Sequence, residues 1–181
     1  MPGFLKKTIK VFSPSIFIII ILNSCFLSTE PFRRTRIFDI GLSAPSEYSL
    51  RVANIENLSS SKHNFTYRIS DTEIEKDEFN KWAALPENML YAKLKTAFKE
   101  ENNAPSLRVK ILKFEFDTRK NLVCLSVLYS INYNSEKWEK FDKSKKIEVA
   151  EPSAIAETMS ELSNQLIEEI KNKIIAGGKN N

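Results

Sequence analysis

The chain has 181 residues, of which 42% are hydrophobic and 28% charged, with only four Gly, and this composition excludes collagen-like, low-complexity and intrinsically disordered classes. A single His, together with two Cys that lie far apart at positions 25 and 124, excludes multi-histidine and Cys-x-x-Cys metal sites. The net charge is +4, but three Lys precede residue 25, and the remaining 24 basic residues face 23 acidic ones, which leaves little of the concentrated basic surface that nucleic acid needs.

The first 24 residues have the pattern of a secretory leader. Lys6, Lys7 and Lys10 precede the run Val11–Leu22, in which nine of twelve residues are Val, Phe, Ile or Leu. The run is shorter than the about 20 apolar residues of a membrane-spanning helix and matches the about 7 to 15 of a secretory apolar region. We therefore predict a signal peptide over residues 1–24, the alternative being a signal anchor that stays in the membrane.

The end of this leader, Leu22-Asn23-Ser24-Cys25, resembles the lipobox of bacterial lipoproteins. The small Ser24 leaves room for a peptidase, and the thiolate of Cys25 is a soft nucleophile that accepts a diacylglyceryl group. We predict lipidation of Cys25, which would hold the protein to a bilayer by several acyl chains. Residues 25–35 contain Pro31 and show no periodicity, so we assign them to the lipidated N-terminus and linker.

Residue 26 is Phe, whereas an Asp there retains many Gram-negative lipoproteins in the inner membrane. We therefore expect a lipid-anchored protein at the outer membrane that faces the periplasm, the alternative being the outer leaflet of the inner membrane. If Cys25 carries lipid, Cys124 has no disulfide partner, and we expect it to be a small buried apolar residue in a strand.

The body starts with short strand patterns. We predict strands at Arg36–Ile40, Ser49–Ile55, Phe65–Ser70 and Thr72–Asp77. Residues Asn57–Asn64 form a polar loop, and the last two segments pair through a tight turn at Ser70-Asp71, although Thr72–Asp77 also suits a loop.

A first amphipathic helix is predicted in the segment that begins at Trp82. Pro86 occupies its first turn, where the missing N–H costs nothing. One apolar stripe contains Met89, Leu90, Leu94, Ala97 and Phe98. We place Lys93, Lys95 and Lys99 mostly on the remaining surface and expect the stripe to pack against a sheet.

The segment Leu107–Asp117 is a long strand whose alternation changes phase. Apolar residues occupy odd positions up to Ile111 and even positions from Leu112 onward, and this change predicts a β-bulge near Ile111. Asn121–Tyr133 returns with an apolar face, and Lys137–Val149 is charged, which suits an exposed edge strand. We predict an antiparallel meander of three strands.

A second helix follows Glu151-Pro152-Ser153, and Gly177-Gly178 end it. Its apolar residues recur at helical spacing from Ile155 to Ile174. The predicted fold class is therefore α+β: a mostly antiparallel sheet with two amphipathic helices packed on one face, an α/β sandwich. This domain covers residues 36–176, and residues 177–181 form a tail.

Several short motifs of the body belong together. They are Phe38-Asp39-Ile40-Gly41, then Phe65-Thr66-Tyr67-Arg68 followed by Trp82-Ala83-Ala84-Leu85-Pro86 and Met89-Leu90, and the final helix after a Pro. This combination resembles the ABC-type transport auxiliary lipoproteins, typified by the lipoprotein of the paraquat-inducible intermembrane transport operon. The resemblance covers Phe38–Ile175 and departs at Ser160, Ser163 and Asn164, which stand among bulky Ile in place of the family's small-residue-rich last helix.

The resemblance implies a non-catalytic component of a trans-envelope lipid transport system. In such a system an inner-membrane ABC permease works with MCE-domain proteins that form a hydrophobic conduit, and the lipoprotein, as a homo-oligomer, meets the conduit's outer end. The candidate interaction or structural residues are Tyr67, Arg68 and Trp82. Tyr67 and Trp82 either fix the helix to the sheet or serve as binding anchors, and Arg68 forms a pair at the surface or at a sheet edge.

Two other functions are compatible with parts of the sequence. A periplasmic lipid-binding carrier lipoprotein would need a cavity, which some of the twelve Phe could line. An envelope hydrolase would use His63 with Ser59, Ser60 or Ser61, but the chain lacks a Gly-x-Ser-x-Gly motif, and it lacks the phosphate-binding Gly-x-x-x-x-Gly-Lys motif as well. We expect no catalytic residue, metal or cofactor, and no nucleic-acid partner.

Overall fold

Seven strands and two helices make up the part of the chain that the structure, a computed structural model, describes: residues 33–132 and 137–178. The strands are β1 Arg36–Phe38, β2 Arg51–Asn57, β3 Asn64–Arg68, β4 Ile74–Trp82, β5 Ser106–Asp117, β6 Leu122–Asn132 and β7 Glu139–Lys146, and the helices are α1 Pro86–Ala97 and α2 Pro152–Gly178. The predicted leader, Cys25 and most of the linker lie outside the described residues, as do Tyr133 and the last three residues.

All seven strands belong to one mixed sheet in the order β1-β4-β3-β5-β6-β7, with β2 also beside β5. The predicted α+β class is confirmed, and most paired residues of the sheet are antiparallel. The sheet is nevertheless mixed, because β1 pairs with β4 in parallel and both β2 and β3 pair with β5 in parallel. Parallel neighbours need a crossover, and the chain between β3 and β5 supplies it through β4 and α1. The alternation of apolar and polar residues within a strand does not reveal which other strand it pairs with.

The three-stranded meander β5-β6-β7 is antiparallel, as predicted. The register of β5 against β6 shifts between Ile111 and Lys113, so Leu112 is the extra residue, and the predicted bulge is confirmed. The bulge keeps Ile111 and Phe114 on the same face, where they are 0% and 1% exposed. β7 is shorter than the predicted Lys137–Val149.

Both helices pack on one face of this sheet, which we call the inner face. Apolar residues of α1 and α2 join the inward side chains of β5 and β6 in a single hydrophobic core. Every fully buried hydrophobic residue of the described chain lies between Ile40 and Ile170, so this part of the chain contains its own core. Neither described helix is long and apolar enough to cross a bilayer.

The first helix begins at Pro86, after the extended Leu85, so the predicted place of Pro86 in its first turn is confirmed. The strand before it extends beyond the predicted Thr72–Asp77 and ends at Trp82. Trp82 pairs with Phe38 of β1, and its backbone N–H donates to the His63 carbonyl at 2.6 Å. The expected burial of Cys124 was wrong. Cys124 is a free thiol but only half-buried, because it lies opposite Glu115 on the face away from the helices, and burial raises the pKa of its thiol.

Candidate functional site

The candidate residues Tyr67, Arg68 and Trp82 lie around the pairing of β3 with its two neighbours, β4 and β5. Successive strand residues point to opposite faces, so Phe65 and Tyr67 of β3 face the helices while Arg68 faces outward. Of the three candidates, the structure brings Tyr67 and Trp82 to the lining of one interior space, whereas the guanidinium of Arg68 is on the other side of the sheet.

Trp82 is the centre of an aromatic cluster. Its ring stacks on Phe65 with the centroids 4.0 Å apart, and the ring of Phe114 meets it edge-on at 5.0 Å. Phe38 lies 5.2 Å from Phe65. Aromatic pairs at these distances add stability beyond their buried area. The residues Phe38, Phe65 and Trp82, from motifs that lie far apart in the chain, therefore form one packing unit.

Tyr67 extends this cluster and anchors a turn of β4. Its ring contacts Phe116 edge-on at 6.1 Å, and its hydroxyl donates to Asp77 Oδ2 at 2.8 Å. Burial and the neighbouring Asp77 carboxylate raise the pKa of the Tyr67 phenol. Asp77 Oδ1 also accepts hydrogen bonds from the backbone N–H groups of Phe79 and Asn80. The Tyr67 hydroxyl is therefore part of a hydrogen-bond network centred on the Asp77 carboxylate.

The space between this cluster and α2 is small. Its non-atom volume is about 190 Å³ including a part open to solvent, and the centre of a water molecule does not fit anywhere in it. Pockets that enclose organic ligands usually measure about 300 to 1,000 Å³. The indole Nε1 of Trp82 is buried and has no hydrogen-bond partner among the described residues, which is consistent with packing as the main role of this side chain.

Arg68 binds Glu115 at two points. Its Nε donates to Oε1 at 2.5 Å and its Nη2 to Oε2 at 2.9 Å, and this hydrogen bonding raises the pKa of the guanidinium. The Glu115 side chain is only 4% exposed. Next to the pair, Arg119 contacts both Asp117 and Asp71. The outward end of β3 and β5 therefore carries an ion-pair network of two guanidinium groups and three carboxylates.

Lys93 was predicted to lie mostly on the surface outside the apolar stripe, and this prediction was wrong. The residue is 1% exposed, and its ammonium donates to the Ile40 carbonyl at 2.9 Å and to Ser160 Oγ at 3.2 Å. Burial lowers its pKa. The spacing of four residues from Met89 and to Ala97 could have identified it, because that spacing places Lys93 within the apolar stripe.

Through Lys93, the helices hold the segment that follows β1. Gly41 has a φ of 66°, a conformation that favours glycine, and its carbonyl accepts a weaker contact from Lys93 at 3.4 Å. Ser160 of α2 also donates to the Ile40 carbonyl. The motif Phe38-Asp39-Ile40-Gly41 therefore lies at the junction of β1, α1 and α2.

The serine and histidine candidates lie in the loop between β2 and β3. Ser61 is buried and His63 is exposed, while Ser59 Oγ donates to Asn57 Oδ1 at 2.6 Å. Within residues 33–132 and 137–178, no hydrogen bond joins His63 to a serine, and no three His, Cys, Asp or Glu side chains are grouped to hold a metal ion.

The architecture is shared with solved structures. Protein XCC0632 from Xanthomonas campestris, of the family DUF330, matches with a TM-score of 0.66 and 15% identity over 80% of this chain and 98% of that one. A second protein, described as uncharacterized, matches with a TM-score of 0.59 and 14% identity over 76% and 99%. No protein-family model and no curated protein matches this chain. At these identities the likeness establishes the fold alone: the chain has the α+β architecture of XCC0632.

Proposed function

We propose that the protein is a non-catalytic lipoprotein component of an MCE/ABC-type intermembrane lipid transport system. Cys25 anchors it to the outer membrane, and the body docks, as a homo-oligomer, onto the channel formed by MCE-domain proteins. The proposal combines the lipobox at Leu22-Asn23-Ser24-Cys25 with the family resemblance of the body.

The observation that carries the proposal is the assembly of the motif residues. Phe38, Phe65 and Trp82 come from three separate motifs and stack in one cluster. Lys93 ties the first of these motifs to both helices. Residues that define the resemblance thus hold the fold together, as expected if the chain shares the architecture of the family as well as its short motifs.

The close packing beside the aromatic cluster supports docking over carrying as the mode of action. In the described part of the chain, the space beside the aromatic cluster admits no water molecule, so an acyl chain has no room there. Native mass spectrometry of the purified body tests the alternative of a lipid carrier: co-purified lipid at one molecule per chain would favour it.

Co-purification with the MCE-domain protein of the same cell tests the docking role. We compare the full chain, a Cys25→Ala variant, and the leader and linker fused to an unrelated domain. We expect the MCE-domain protein to co-purify with the full chain and with the Cys25→Ala variant but not with the fusion, because the body provides the docking surface. If the MCE-domain protein does not co-purify with the full chain from cross-linked detergent extracts, the proposal is contradicted.

A further inference from the structure

The face of the sheet opposite the helices, which we call the outer face, carries an excess of positive charge. Side chains of paired residues share a face, so the register assigns to it five basic residues of the meander: Arg108, Lys110, Lys113, Lys140 and Lys146. The two helices on the inner side together carry five Glu and four Lys, which nearly cancel. The helices therefore do not share the positive excess of the meander's outer face.

The acidic side chains of the outer face do not cancel this excess. Glu115 and Asp117 are engaged by Arg68 and Arg119, which add two further positive charges to those of the meander. Asp142 pairs with Lys140, and Glu56 of β2 pairs with Lys110. Arg119 also contacts Asp71, so these five carboxylates stand against seven basic side chains. The described residues of the face therefore keep an excess of two positive charges.

Trp138 adds an aromatic ring to this face. The ring is half-buried and lies 5.4 Å from the Arg108 guanidinium and 5.1 Å from the Lys110 ammonium. Leu128 is half-buried and stands between Lys110 and Lys140 in the same cross-strand row. Tryptophan rings and basic side chains with apolar stems are the residues that bind the interface between lipid and water.

We propose that the outer face binds the surface of an anionic phospholipid bilayer. Each basic side chain near such a surface raises the affinity about fivefold. The inference rests on the proposed function in one respect: an acylated Cys25 would keep the body close to the membrane, since the eight chain steps from Cys25 to Arg33 span at most about 30 Å. The half-buried Trp138 favours a lipid interface over an acidic protein surface.

Vesicle binding by residues 33–181, which contain the whole described core, tests the face itself without the acyl anchor. We expect binding to vesicles that contain about one third phosphatidylglycerol, little binding to phosphatidylcholine alone, and a decrease with added salt. Lys113→Gln with Lys146→Gln should weaken binding about tenfold or more. Lys95→Gln with Lys171→Gln, an equal charge change on the helices, is the matched control and should bind like the parent.

Tryptophan fluorescence reports the contact directly. Trp82 is 4% exposed, so a blue shift on adding vesicles would come from Trp138, and Trp138→Phe should abolish it. Circular dichroism verifies that each variant is folded. Equal binding to neutral vesicles, equal loss in the control pair, or equally tight binding to double-stranded DNA or to an acidic protein would overturn the proposal. None of these results affects co-purification with the MCE protein, so the two proposals fail separately.

Discussion

Arg68 and Glu115 stand 47 positions apart in the chain and meet in a two-point ion pair between β3 and β5. The carboxylate is almost fully buried, whereas the Arg68 side chain is 22% exposed. A buried charge is costly without its partner. The pair therefore fixes the parallel contact of β3 with β5, on which the aromatic cluster of the inner face also depends.

Substitution of Arg68 tests how much its pair with Glu115 contributes to the stability of the fold. We expect Arg68→Ala to lower the free energy of unfolding by about 2 to 4 kcal/mol, because it leaves the Glu115 carboxylate without its partner. Arg68→Met combined with Glu115→Leu should recover most of the loss. Lys95→Ala, which breaks an exposed ion pair with Glu100, is the control and should leave the free energy of unfolding close to that of the parent. Urea unfolding measures all three, and a double variant no more stable than Arg68→Ala would contradict this view of the pair.

Trp82 should act through packing. Trp82→Ala should cost about 3 to 5 kcal/mol because it removes the ring on which Phe65 stacks. Trp82→Phe should cost less, about 1 to 2 kcal/mol, since the lost indole N–H has no partner. Trp138→Phe is the control and should change stability by about 0.5 kcal/mol or less. Thermal unfolding checks the series, and a Trp82→Ala protein of normal stability that fails to dock would instead identify a binding anchor.

Acid should weaken the fold partly through Asp117. The hydrogen bond from Arg119 is the main cause that lowers the pKa of Asp117 below its ordinary 3.8. A carboxylate with a lowered folded-state pKa stabilises the protein above its unfolded pKa, and this contribution is lost as the pH falls below about 4. Asp117→Asn should therefore flatten the decline in stability between about pH 5 and about pH 2. Unfolding midpoints across this range test it, and an unchanged slope would contradict it.

The bulge offers a test of register. Leu112 is the extra residue of β5, so its deletion should leave a regular ladder with every inward side chain still inward, and the variant should fold. Deletion of Leu128, another half-buried leucine but in the regular part of β6, should turn one half of that strand over. Circular dichroism and cooperative unfolding distinguish the two, and a folded Leu128 deletion beside an unfolded Leu112 deletion would refute the assignment.

Much of this fold can be predicted from the sequence because several of its elements are determined by residues that lie close together in the chain. The phase change at Ile111 and the apolar stripe of α1 both depend only on near neighbours along the chain, and both are where the pattern places them. The strand pattern was placed at Thr72–Asp77, whereas β4 continues to Trp82. The decisive factor was a non-local one, the pairing of Trp82 with Phe38.

Features that need distant partners could not be predicted in the same way. The parallel pairing of β2 and β3 with β5, and the ion pair of Arg68 with Glu115, join residues whose proximity no local period reveals. Counting charged residues along the chain also does not reveal the excess of positive charge on the outer face. It becomes visible only when the register sorts Arg108, Lys110 and Lys140 onto one side of the sheet.

The proposed attachment of the protein to the outer membrane requires a lipid anchor at position 25. Mass spectrometry of the protein isolated from native membranes measures this directly, through the mass of its N-terminal peptide. We predict a chain that begins at Cys25 and carries acyl groups on that residue. A chain that keeps its leader, with an unmodified Cys25 thiol, would contradict the account.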